Sequence, residues 1–331
     1  MRPRYRPLAT WLAVVLHLLV AALLLGVALP AQAQQPVAAR RVGVLTFTQL
    51  TPALQEPFRQ GLRDQGYVEG QNLLIEWRAA DGQPERAKAL AHELVGLKVD
   101  VIVANLTPAV QAAKEATSTI PIVMAAAGDP VGTGFVKSLA RPGGSITGVT
   151  GISAELAGKR IELLRELVPG LARVGLLING TNPFAKPLVS ETRTAAKRAG
   201  LELQIIDVRR AQDLDPALTG LIQRRAQAVI VDSALTAWRG AELAFHHRLP
   251  SISNQRVFVE AGGLAFHGAE PSDVQRRAAT FVAKILKGAN PADLPVERPT
   301  RFELILNLRT AKALGLKIKP ELLLQATQTI E

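Results

Sequence analysis

The 331-residue chain contains no cysteine, which removes disulfides, thiolate nucleophiles and cysteine metal sites together. Aromatic residues make up only 4%, and no basic run exceeds two residues although the formal charge is +11. A nucleic-acid reader would cluster Lys and Arg and interleave them with aromatics, so the charge is read as a basic soluble surface. The histidines are His17, His92, His246, His247 and His267, with no His-Glu-x-x-His and no pair at helical metal spacing. No Gly-x-Ser-x-Gly elbow occurs. Gly132-Thr133-Gly134 lacks the third dinucleotide glycine, and Lys137-Ser138 lacks the glycine that precedes a Walker lysine. These absences argue against catalysis, against a cofactor and against a metal.

What is present begins with a leader. Arg2, Arg4 and Arg6 precede an apolar run over residues 11–29, followed by Pro30-Ala31-Gln32-Ala33. A charged start, an apolar middle and a small-x-small end form a secretory signal, with cleavage expected after Ala33. An uncleaved membrane anchor is the other reading, because the run approaches the roughly 20 residues that span a bilayer. The signal places the protein in the periplasm, and its removal leaves a charge of about +8.

The rest of the chain alternates strand and helix. Apolar runs at residues 41–47, 72–77, 99–104, 122–124, 146–150, 173–179, 201–207, 228–232 and 263–267 read as strands. Between them, helical stripes recur, such as Leu54, Phe58 and Leu62, or Leu156, Leu163, Leu164 and Leu167. Continuous apolar strands alternating with helices imply parallel sheets covered on both faces. The rhythm breaks at Pro291, Pro295 and Pro299, before a strand at 302–307. That stiff passage suits a chain crossing between two lobes. The expected division is a leader at 1–33, a first lobe at 34–150 with 269–298, and a second lobe at 151–268 with 299–331.

Four stretches share one unit: VGVLTFTQLTPA from Val42, VIVANLTPA from Val101, VGLLINGTNPFA from Val174 and VIVDSALTA from Val229. Each is an apolar strand, then Asn, Thr or Ser, then a helix start. In open parallel sheets ligands bind beyond the carboxyl ends of the strands, where helix N-termini also point. The polar residues at those ends could equally be helix caps; four occurrences favour a shared cleft. The glycine-rich stretch from Gly128 to Gly151, with Asp129 held before Pro130, reads as hinge and ligand floor. Residues 147–151 are expected to be the first crossing between lobes.

Several motifs carry a family resemblance. Residues 59–72 read RQGLRDQGYVEGQN, 116–123 ATSTIPIV, 128–131 GDPV, 139–144 LARPGG, 159–166 KRIELLRE, 258–264 FVEAGGL and 285–295 ILKGANPADLP. In that order they resemble the tryptophan/tyrosine transport-system substrate-binding proteins of ABC importers, over nearly the whole exported chain. The resemblance implies a type I periplasmic-binding-protein fold, two flavodoxin-like α/β lobes with parallel sheets that close on a small ligand. It also implies an inner-membrane ABC permease as partner and a monomeric receptor with no catalysis. The chain departs from its relatives at Asn105-Leu106-Thr107, at Ser253-Asn254-Gln255 and at His267-Gly268, which points to a polar pocket rather than one shaped for an aromatic side chain.

The expected ligand is therefore an amino acid or a similar small polar metabolite. Thr46, Thr48 and Thr107, with backbone N–H groups, would hold a carboxylate. Asp129 or Asp232 would pair with an ammonium, since an unpaired charge out of water is costly. Asn179, Asn182, Asn254 and His267 would select the side chain, and Asn105, Gly128, Thr150 and Ser233 complete the expected site. A ligand sensor reporting to a membrane kinase would use the same fold, and a small-molecule hydrolase would need its two carboxylates paired.

Overall fold

In the computed structural model the described residues are 39–49, 51–152 and 154–331, so the expected leader at 1–33 lies outside them. The strands are β1 (Arg40–Thr46), β2 (Leu73–Ala79), β3 (Val101–Asn105), β4 (Ile122–Gly128), β5 (Ile146–Ile152), β6 (Arg173–Ile178), β7 (Glu202–Asp207), β8 (Ala228–Val231), β9 (Ser251–Ser253), β10 (Ala265–Ala269), β11 (Phe302–Asn307) and β12 (Gln328–Ile330). The helices are α1 (Pro52–Arg63), α2 (Pro84–Gly96), α3 (Thr107–Ala116), α4 (Ala154–Leu167), α5 (Ala185–Arg198), α6 (Leu214–Gln223), α7 (Ala237–His246), α8 (Arg256–Glu260), α9 (Pro271–Leu286), α10 (Leu308–Ala313) and α11 (Pro320–Gln325).

The first sheet runs β2-β1-β3-β4-β5 and is parallel throughout. Its strands are apolar on both faces because both are covered. Val42, Val44, Val101, Val103 and Val123 face α1 and α9, where Phe58, Leu62, Val274, Phe281 and Val282 complete one core. The intervening Leu45, Ile102, Ala104 and Met124 join Ala91, Leu94 and Val110 of α2 and α3 in a second core. Helix α9 belongs late in the sequence yet packs on α1, β4 and β5. Gly61 makes that crossing possible: a Cβ there would stand 2.8 Å from the Ala279 Cβ.

The second sheet runs β12-β11-β10-β9-β8-β6-β7. Its pairs are parallel except β10–β11, which is antiparallel; β12 pairs parallel with β11, so these two strands run against the other five. The cause is the route of the chain. Strand β10 ends at Ala269 opposite Phe302, the chain leaves to build α9, and it returns to the edge where it left; Glu270 N–H donates to the Arg301 carbonyl at 3.0 Å. A strand entering there must run backwards along β10. In the proline-rich passage Thr150 N–H donates to the Glu297 carbonyl and Glu297 N–H to the Gly148 carbonyl, both at 2.9 Å.

The structure bears out two mostly parallel α/β sheets with interleaved helices. One expectation is corrected. Residues 147–151 are not a crossing; they lie within β5, with Val123 opposite Thr147 and Ala127 opposite Thr150. An apolar, β-branched segment gains a full row of ladder bonds by pairing there, so the chain leaves the sheet only beyond Ile152.

Candidate functional site

The carboxyl ends of β1, β3 and β4 face those of β6, β8 and β9, and the contacts across this gap are specific. A Cβ on Gly128, the last residue of β4, would meet the Phe184 ring at 2.6 Å. Thr236, just before α7, lies beside Gly82, whose added Cβ would be 3.4 Å from its Oγ1. Ala234 packs into the first-sheet core that contains Phe47 and Ala80.

Two adjoining openings lie along this gap. One is a cleft open to solvent, about 680 Å³ with that solvent included, and is lined by Thr48, Asn105 and Leu106 from the first sheet, Asn254, Gln255 and Arg256 from the second, and Gln275 of α9. The other is about 780 Å³ on the same terms and adds Asp81, Thr236 and Trp238, sharing Thr48, Gln49, Gln255 and Val257 with the first. The first lining is rich in neutral amides, namely Gln49, Asn105, Asn254, Gln255 and Gln275. The cation among its described lining residues, Arg256, is already engaged by Glu260 at 2.9 Å, Glu303 at 3.3 Å and Gln328 at 2.6 Å. Asp81, in the other opening, is paired with Arg86 at 2.7 Å. Such a lining offers donors and acceptors to a polar ligand without imposing a net charge.

The floor carries backbone strain. Leu106 has φ 70° and Ala126 φ 62°, and both line the first opening. Non-glycine residues in that region cost of order 1–3 kcal/mol each and collect at ligand sites. Leu106 precedes α3, where Pro108 has no N–H and those of Ala109 and Val110 donate to the Leu106 carbonyl, so the group this helix start presents to an anion is Thr107 N–H.

Of the residues expected from sequence, Thr48, Asn105 and Asn254 line the first opening. The others sit elsewhere. Thr46 is buried and its hydroxyl donates to the Arg78 carbonyl; the Thr107 hydroxyl accepts from Gly128 N–H at 2.9 Å. Asp129 has φ 36° and folds its carboxylate onto its own turn, accepting from Gly132 N–H at 2.9 Å. Thr150 is buried within β5. Asp232 is 3% exposed and accepts from Asn179 N–H, the Asn182 amide, the Ser233 hydroxyl and Ala234 N–H at 3.3–3.4 Å. Burial pushes its carboxyl above the usual range, against those hydrogen bonds. His267 lies on β10, where burial, helped by the charges of Arg160 and Lys159, lowers its imidazole to about 4.

Sequence reasoning missed Arg160. It is 2% exposed, and its Nε donates to the His267 carbonyl at 3.3 Å. Burial lowers its guanidinium to about 10, with the Asp232 charge acting the other way. Arg160 Nη2 and His267 Nδ1 are both buried without a hydrogen-bond partner. The signal was present: Arg160 falls in the buried stripe of α4 with Leu156, Leu163, Leu164 and Leu167. Gln255 was also missed; its amide donates to the Ser233 carbonyl.

Two α/β sheets whose strand ends face each other across a polar cleft define a small-molecule receptor of the periplasmic-binding class. Residues 47–330 match the ABC transporter substrate binding protein family, and the chain belongs to it. A tyrosine-binding protein from Clostridioides difficile is 29% identical over 266 residues, covering 78% of this chain and 76% of the relative. An ABC domain from Streptococcus pneumoniae, solved in complex with L-Trp, is 28% identical with a TM-score of 0.80, covering 88% of this chain and 100% of that one. A substrate-binding protein with adhesive properties from Clostridium difficile, solved ligand-free and open, is 25% identical with a TM-score of 0.62, covering 88% of this chain and 99% of that one.

Proposed function

We propose that the protein is the periplasmic receptor of an ABC importer and closes two lobes around an amino acid or a similar small polar metabolite. The lobes comprise residues 34–150 with 269–298, and 151–268 with 299–331. The ligand sits in the amide-lined opening, its carboxylate on Thr48 and the Thr107 N–H that begins α3, its side chain among Asn105, Asn254, Gln255 and Gln275. The observation that carries this reading is that one opening takes its polar lining from the strand ends of both sheets. A cleft shared in this way is filled best when both halves approach, so ligand favours the closed arrangement within an existing open–closed equilibrium.

The chain overlays much better on the L-Trp complex than on the open, ligand-free relative, although identity and coverage are nearly equal. That difference, with the Phe184–Gly128 and Thr236–Gly82 contacts, supports a closed arrangement. The relatives' names point to amino acids, and the amide lining favours a polar one. The closed form is what an inner-membrane permease would receive, and the ligand leaves chemically unchanged.

A thermal-shift screen against amino acids, nucleosides and aromatic acids tests the ligand class. Ligand at 100 times its Kd adds about 2.7 kcal/mol of stability. An upward shift with an amino acid is expected; a shift only with another class would reject the assignment.

A further inference from the structure

We propose that Asp232 is a positioning residue for closure: its carboxylate ties together the two turns of the second sheet that touch the first. The inference rests on the two-lobed reading above and assigns the device that shapes one closing face.

The first turn follows β6. Asn179 N–H donates to Asp232 Oδ2 at 3.4 Å and the Asn182 amide to the same oxygen at 3.3 Å. Asn182 Oδ1 in turn accepts from Phe184 N–H at 3.1 Å. One amide therefore links the carboxylate to the residue whose ring covers Gly128. The second turn follows β8. Asp232 Oδ1 accepts from Ala234 N–H at 3.3 Å and from the Ser233 hydroxyl at 3.4 Å. This turn carries Ala234 into the first-sheet core and leads to Thr236 beside Gly82. The three contacts described above, at Phe184, Ala234 and Thr236, thus hang from the two oxygens of one carboxylate.

An ionised carboxylate suits the position, because all four groups donate to it, and a protonated oxygen or an amide nitrogen there would bring a fifth donor. Asp232 is buried, so its charge needs compensation. The four hydrogen bonds from Asn179, Asn182, Ser233 and Ala234 act that way, against burial.

Hydrogen exchange on the full chain, followed by mass spectrometry, tests the coupling without any ligand. In Asp232→Asn, peptides covering 179–185 and 232–237 should both exchange at least tenfold faster, while β1 to β4 keep wild-type protection. Asn182→Ala should loosen 179–185 and leave 232–237 protected; it serves if Asp232→Asn does not fold. Wild-type protection of both segments in Asp232→Asn, or loosening of 232–237 alone, would overturn the proposal. These readouts are independent of which ligand binds, so failure of the amino-acid assignment would leave them unchanged.

Discussion

The Phe184 ring lies so close over Gly128 that a Cβ on the glycine would stand 2.6 Å from its Cγ. Gly128 ends β4 in the first sheet, and Phe184 precedes α5 on the second. No side chain larger than hydrogen fits there without moving the ring. Gly128→Val should therefore hold the halves apart and weaken binding of the amino acid found by screening about tenfold or more, some 1.4 kcal/mol. Calorimetric titration measures this. Adding Phe184→Ala should recover part of the loss, because the two changes share one contact. Equal binding by Gly128→Val and wild type would remove this contact from the closing surface.

His267 gives a pH dependence of stability. Its folded pKa, about 4, lies below the ordinary value of 6.5, so the unfolded chain binds a proton that the folded chain refuses. The stabilising contribution is full above pH 6.5 and is lost as pH falls towards 4, at most about 3 kcal/mol. Thermal melts between pH 7 and 4 should show Tm falling more steeply for wild type than for His267→Gln. Parallel curves would assign the loss to other groups.

Trp238 offers an optical signal. It is 52% exposed and lines the second opening, whereas Trp77 packs edge-on against Phe58 under Arg59, in the core formed with α1 and α9. Ligand binding should change the tryptophan emission of wild type and of Trp77→Phe but not of Trp238→Phe. A change that survives in Trp238→Phe would show that the second opening is not part of the closing cleft.

How much of this could be read from the sequence depended on the length and locality of each signal. Runs such as RVGVLTF at 41–47 and AVIVD at 228–232 were legible because a parallel strand buried on both faces must be continuously apolar. Strand β9 is three residues long and holds two serines, too short and too polar to register. The reversal of β11 follows from where the chain re-enters the sheet, which no local pattern records. Thr48 and Asn105 were found because each lies at or just beyond the carboxyl end of a legible strand, and Asn254 because the chain departs there from the family it resembles. The environment of Asp232 was not legible, since Asn182 is 50 residues away and spacing carries no trace of it. Arg160 was hidden for a different reason: a charged residue in an apolar stripe reads as a surface residue until its burial is seen.

Small-angle scattering of the purified protein, with and without the amino acid that shifts its melting point, tests closure about an amino acid most directly. Ligand should lower the radius of gyration, and the scattering of the complex should match the closed arrangement with Phe184 seated on Gly128. Saturating binding of an amino acid with no change in the radius of gyration, from a ligand-free protein that is open, would contradict it.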